Sequence, residues 1–291
     1  MESNKILSSK VFKVVMGLLL VSMLIGSVFD YQVSSRFYNS ESLFGLFLAA
    51  YGQLPSALAM SIGGGLWIYT AIKYKGISNV IRAIVGMLLI AFGVFMGFYE
   101  PADYLVSAPK VLLFIISILL NGFAIFGSIK LVSRYGEMEM RKLALFLVFF
   151  VASQIIIVNI IKVPWARPRM RFLELYPEVE FAPWWQIGSS IKDKYLGLGV
   201  GSNEFKSFPS GHTASSLNIL FMAVFARYSK GIAKNINRIL IIGLVFGLLT
   251  ALSRIVLGAH FLTDVTVGYT ITFVLYLVSL EIFFKNSTKT S

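Results

Sequence analysis

Runs of apolar residues recur along almost the whole chain, separated by short polar breaks. Eight of them approach the length an α-helix needs to cross about 30 Å of hydrocarbon: residues 11–29, 54–72, 80–98, 110–132, 142–162, 211–227, 238–257 and 262–284. Continuous apolar runs, with no alternation of apolar and polar positions, indicate helices and not the strands of a barrel. The pattern predicts an all-α, polytopic transmembrane bundle of about eight spans, forming a single membrane domain over residues 1–291. The first run follows Lys5, Lys10 and Lys13, as in a secretory signal, but no clear small-residue cleavage site follows it. It is read as an uncleaved first span. Residues 43–52 are apolar but too short to span, and are expected to form an interfacial helix. The longest polar connection, 163–209, carries Trp165, Tyr176, Trp184, Trp185 and Tyr195, amphipathic aromatics that settle at headgroup level.

Composition supports this pattern. The 291 residues are 57% hydrophobic and 14% charged, where a soluble domain would be about a quarter charged. Mean hydropathy is +0.77. The net charge of +12 could suggest nucleic acid, but the cations sit at the ends of the apolar runs, which suits membrane-flanking loops and an anion site instead. With the N-terminus inside, 16 of the 26 lysines and arginines fall on inner segments. Both termini are therefore expected in the cytoplasm, with the chemistry-bearing segments on the outer face. The chain has no cysteine, which excludes disulfides, thiolate metal sites and a cysteine nucleophile.

Three segments carry candidate chemistry. In the last, His260 and Asp264 lie four apart at the start of a span and so share a helix face. A carboxylate there can hold one imidazole nitrogen and leave the other as a nucleophile, although a helix-capping pair would look the same. In the middle segment, Pro209-Ser210-Gly211-His212 precedes an apolar run. Ser210 suits an N-cap, and the helix N-terminus offers N–H groups to an anion with His212 in reach as a proton donor. An ordinary helix start is the simpler alternative. The first segment groups Lys162, Arg167, Arg169 and Arg171 on the outer side, against the positive-inside trend, and Arg254 repeats the anomaly at a span end. Arginine forks fit phosphate oxygens, though a basic patch can also serve anionic lipid. Gly63-Gly64-Gly65 is read as close helix packing, and Glu100 with Asp103 as a loop pair without a histidine neighbour.

These segments resemble the three signatures of the type 2 phosphatidic acid phosphatase superfamily: Lys-x6-Arg-Pro, Pro-Ser-Gly-His and Ser-Arg-x5-His-x3-Asp. The second is matched by Pro209-Ser210-Gly211-His212, and the third by Ser253-Arg254 with His260 and Asp264. In the first, Lys162 and Arg169 keep the spacing, but Met170 stands where the family has proline, and Arg167-Pro168 offers a rival register. The resemblance implies a six-span core over about 80–284, with the spans within 11–72 as an addition. It implies metal-independent hydrolysis without a cofactor. His260 would be the nucleophile that forms a phosphohistidine, Asp264 would orient it, and His212 would be the acid. Lys162, Arg169, Arg254, Ser210 and Gly211 would hold the phosphate. The implied partners are membrane lipids and a lipid phosphate substrate: phosphatidic acid, phosphatidylglycerol phosphate or an isoprenoid diphosphate such as undecaprenyl diphosphate. The chain's size and short loops look bacterial, which favours the last two. Two rival readings use the same residues: a phosphotransferase with a lipid or sugar acceptor, and a catalytically silent lipid-binding relative.

Overall fold

The computed structural model describes residues 9–74 and 79–285, so Lys5, Lys75 and Lys289 of the charge argument lie outside it. The regular elements are helical throughout. They are α1 (Ser9–Phe37), α2 (Leu43–Tyr51), α3 (Leu54–Lys73), α4 (Asn79–Tyr104), α5 (Lys110–Val132), α6 (Glu137–Trp165), α7 (Met170–Leu175), α8 (Lys192–Gly197), α9 (Gly211–Leu217), α10 (Lys230–Lys234), α11 (Ile236–Val256) and α12 (Leu262–Phe284), with short 3₁₀ turns between some of them. Among the described residues, seven helical stretches are long and apolar enough to cross a membrane, and the chain is an integral membrane protein. The eighth apolar run is a composite. After α9, residues Asn218–Arg227 continue as a 3₁₀ helix. A 3₁₀ helix rises about 2.0 Å per residue against about 1.5 Å in an α-helix, so the composite still reaches roughly 30 Å.

Helix α3 lies inside the bundle and packs against α4, α5, α6 and α9. Its glycines permit this: a Cβ on Gly64 would run into the Gly86 carbonyl oxygen of α4, and one on Gly65 into Ile125 of α5. Lipid offers no hydrophobic drive for helices to associate, so such close backbone approach is what holds them. Helix α2 is more than an interfacial helix. It buries Gly45, Leu48, Ala49 and Ala50 and packs on α11 and α4 before the chain turns at Gly52 and Gln53 into α3. Helix α1 packs along α12 and leaves much of its apolar surface outward, as a lipid-facing helix does.

The long 163–209 connection is folded. Met170, Phe172, Leu173, Tyr195 and Phe205 bury themselves against Phe261 in a small second core. Arg171 closes it with paired bonds to Glu204 at 2.9 and 2.5 Å. Trp184 ties it to α1 by donating from Nε1 to Ser27 Oγ at 3.0 Å. This cap sits over the end of the bundle where the three chemistry-bearing segments meet.

Candidate active site

Helices α11 and α12 are joined by a tight turn. The Arg254 carbonyl accepts from the amides of Ala259 and His260 at 3.0 and 3.2 Å, so the two residues are held side by side. Gly258 takes φ +61° in this turn, where a Cβ would also strike Tyr38 and the Arg171 amide. The left-handed conformation and the crowding both call for glycine.

His260 is buried, with 1% of its surface exposed. Its Nδ1 lies 2.5 Å from the Ser207 carbonyl oxygen and 3.7 Å from Asp264 Oδ2. A carbonyl can only accept, so Nδ1 carries the proton and Nε2 keeps its lone pair. Burial pushes the imidazole well below its ordinary pKa, which keeps the ring neutral. The spacing argument expected Asp264 to accept directly from this ring. Instead the Ser207 carbonyl is the immediate acceptor, and Asp264 braces the surroundings. Its Oδ2 accepts from Ser207 Oγ at 2.5 Å and from the Phe261 amide at 2.8 Å, and its Oδ1 from Arg167 at 2.5 Å.

Ser210 is the N-cap of α9, accepting from the Thr213 amide at 3.3 Å, and its own amide donates to the Asp264 carbonyl at 2.9 Å. A Cβ on Gly268 of α12 would collide with the Ser210 carbonyl, so α12 and this turn touch through backbone. These contacts place His212 on the same cavity as His260.

That cavity, of about 340 Å³, is lined by Lys162, Arg169, Gly211, His212 and His260 among others. Lys162 Nζ donates to the Lys206 carbonyl at 3.0 Å. Arg169 faces the cavity with its Nε unpartnered inside the protein. Ser210 and Asp264 stand behind this lining. Arg254 is fully buried beside it, donating from Nη2 to Tyr104 at 3.0 Å while its Nε and Nη1 have no partner within the protein.

Arg167 does something else. It is wholly buried and bonds the Ala182 carbonyl at 2.8 Å, Thr263 at 3.0 Å, Asp264 at 2.5 Å and Asp30 of α1 at 2.9 Å. All of its nitrogens are engaged within the protein, and of the two arginines it is Arg169 that lines the cavity.

Sequence reading missed Asp30, Gln53, Glu100, Tyr104 and Ser207. The loop reading of Glu100 is wrong: it lies within α4, with its Oε2 3.1 Å from His212 Nε2. A signal existed for two of them. Asp30 and Glu100 are acids at the ends of apolar runs, where an ionisable group is a functional candidate by default.

The fold and cavity define an integral membrane helical bundle with two histidines and two cations lining one cavity. The comparison with protein families agrees. The model of the PAP2 superfamily matches residues 143–288, half of the chain, and the chain belongs to that superfamily, whose members are generally phosphatases. No curated protein and no solved structure matches the chain significantly.

Proposed function

We propose that this protein is a lipid phosphatase that hydrolyses a phosphate monoester or diphosphate through a phosphohistidine, on the extracytoplasmic face. The observation that carries this reading is the convergence of Lys162, Arg169, His212 and a neutral His260 on one cavity. On this reading His260 Nε2 attacks phosphorus while Ser207 and Asp264 hold the ring. His212 protonates the leaving oxygen and then takes a proton from water as the phosphohistidine is hydrolysed. Lys162, Arg169, Arg254 and the Gly211 amide neutralise the phosphoryl oxygens. Phosphoryl transfer is mostly a matter of positioning and charge, which this set supplies. Ser210 acts through the turn it caps.

The cavity continues along an apolar wall of Phe92 and Met96 on α4, Ala57 on α3, and Ile155 and Val158 on α6. It is too small to hold a lipid's chains, so these would run along that wall into the bilayer. The substrate classes remain phosphatidic acid, phosphatidylglycerol phosphate and isoprenoid diphosphates. The PAP2 core would occupy about 80–284, with α1 and α3 bracing it from the N-terminal side.

The test is phosphate release by purified protein from a panel of these lipids. His260→Ala is expected to remove turnover by several orders of magnitude, as for other lost nucleophiles. Full activity should persist in chelator and fall with vanadate. Near-normal turnover by His260→Ala would refute the mechanism.

A further inference from the structure

The fold pairs His212 with a carboxylate from outside the segment that matches the superfamily. Glu100 is nine-tenths buried in the last turns of α4, and its Oε2 lies 3.1 Å from His212 Nε2. Its other oxygen accepts from Gln53 Nε2 at 2.6 Å. Gln53 sits where α2 passes into α3 and lines the same cavity. The Tyr104 ring meets the His212 ring edge-on, with centroids 5.8 Å apart. Gln53 Nε2 also lies 3.3 Å from His212 Nε2, so three residues that lie before residue 143 surround the ring.

The charges around His212 make the pairing informative. Arg254 and Arg169 lie close enough to His212 to repel a proton on it, Lys162 lines the same cavity, and an imidazolium would be a further cation among them. Asp264 already accepts from Arg167, Ser207 and the Phe261 amide. The carboxylate in contact with His212 is Glu100.

We propose that Glu100 is a positioning residue for His212, accepting its Nε2 proton and holding the ring so that Nδ1 serves as the acid. This rests on the phosphohistidine reading. As the P–O bond to the leaving group breaks, the Nδ1 proton of the imidazolium moves to the leaving oxygen, and a neutral ring with Nε2–H still on Glu100 remains. When water attacks the phosphohistidine, its proton goes to the Nδ1 lone pair and the imidazolium is restored. Glu100 keeps its charge throughout. Gln53 fixes the carboxylate in the rotamer this requires.

The test compares two substrates on purified full-length protein: a short-chain phosphatidic acid, whose alkoxide leaving group needs a proton, and p-nitrophenyl phosphate, whose leaving group does not. Wild type, Glu100→Gln, Gln53→Ala and His260→Ala are measured on both. Glu100→Gln should lower kcat/KM, which reports only the steps through phosphorylation of His260, by about 100-fold or more on phosphatidic acid, the lower range for a lost general acid, and by only about 5-fold or less on the aryl ester. Gln53→Ala should show the same selectivity at smaller size, and it decides the matter should Glu100→Gln fail to fold. Equal losses on both substrates, or no loss on either, would overturn the proposal while His260-dependent turnover kept the phosphatase reading intact. Turnover that survives His260→Ala would instead remove the phosphatase reading, and this inference with it.

Discussion

A guanidinium enclosed by two carboxylates has its charge already neutralised, and Arg167 between Asp30 and Asp264 is in that state. Arg169, two residues on, has an unpartnered Nε and a cavity in front of it. The two should respond differently to removal. Arg169→Ala is expected to lower kcat/KM for lipid phosphate while the thermal midpoint stays near that of the parent. Arg167→Ala leaves two buried acids without their cation, and breaking a buried pair of this kind costs about 3–5 kcal/mol. That is a large part of a typical total stability, so this variant should melt early or fail to accumulate. Measuring both parameters on both variants checks the assignment, and a stable Arg167→Ala with only a raised KM would contradict it. The sequence left this choice open because both arginines satisfy a spacing rule. What separates them is Asp30, 137 positions away from Arg167, which no local pattern can link to it.

At the scale of elements, α12 organises the site. Asp264 accepts from the Ser210 amide through its carbonyl, Gly268 lies under the Ser210 carbonyl, and Thr272 Oγ1 donates to the Ala214 carbonyl at 3.0 Å. These three are spaced at i, i+4 and i+8 and form one face of the helix. Gly268→Val is expected to push the Ser210 turn away and displace His212 from His260. Turnover should fall at least about tenfold, since small misplacements of reacting groups cost that and more, with membrane insertion retained. Phosphate release and detergent-stable elution of the variant test this, and unchanged turnover would show that the contact is not needed. The spans were legible because apolar length is a direct physical signal. The 3₁₀ continuation after α9 was not, because both helix types are served by the same apolar run. The folded cap over 170–205 was hidden too, since its small aromatic core draws on residues such as Phe261 that are remote in sequence.

At the scale of the whole molecule, the N-terminal helices are braces of the site. Helix α1 gives Asp30 to Arg167, the α2–α3 junction gives Gln53, and α4 gives Glu100. The proposed orientation, with both termini inside, has a convenient test because the chain has no cysteine. Single cysteines can be added without a background signal. At exposed positions, Glu180→Cys in the cap should react with a membrane-impermeant maleimide on intact cells. Lys230→Cys, beyond the other end of the bundle, should react only after permeabilisation. The reverse pattern would invert the topology and move the proposed site to the cytoplasm.

Arg254 carries two buried nitrogens with no acceptor inside the protein. Leaving a buried charged donor unpaired is unfavourable, so on the proposed function part of the affinity for an anion would be stored in the free fold as electrostatic frustration. An arriving phosphoryl group would relieve it, and so would the inorganic phosphate left after hydrolysis. On the proposed reaction, the feature that draws substrate in also holds the product back. Clearance of free phosphate, and not the chemical step alone, would then set the pace of turnover.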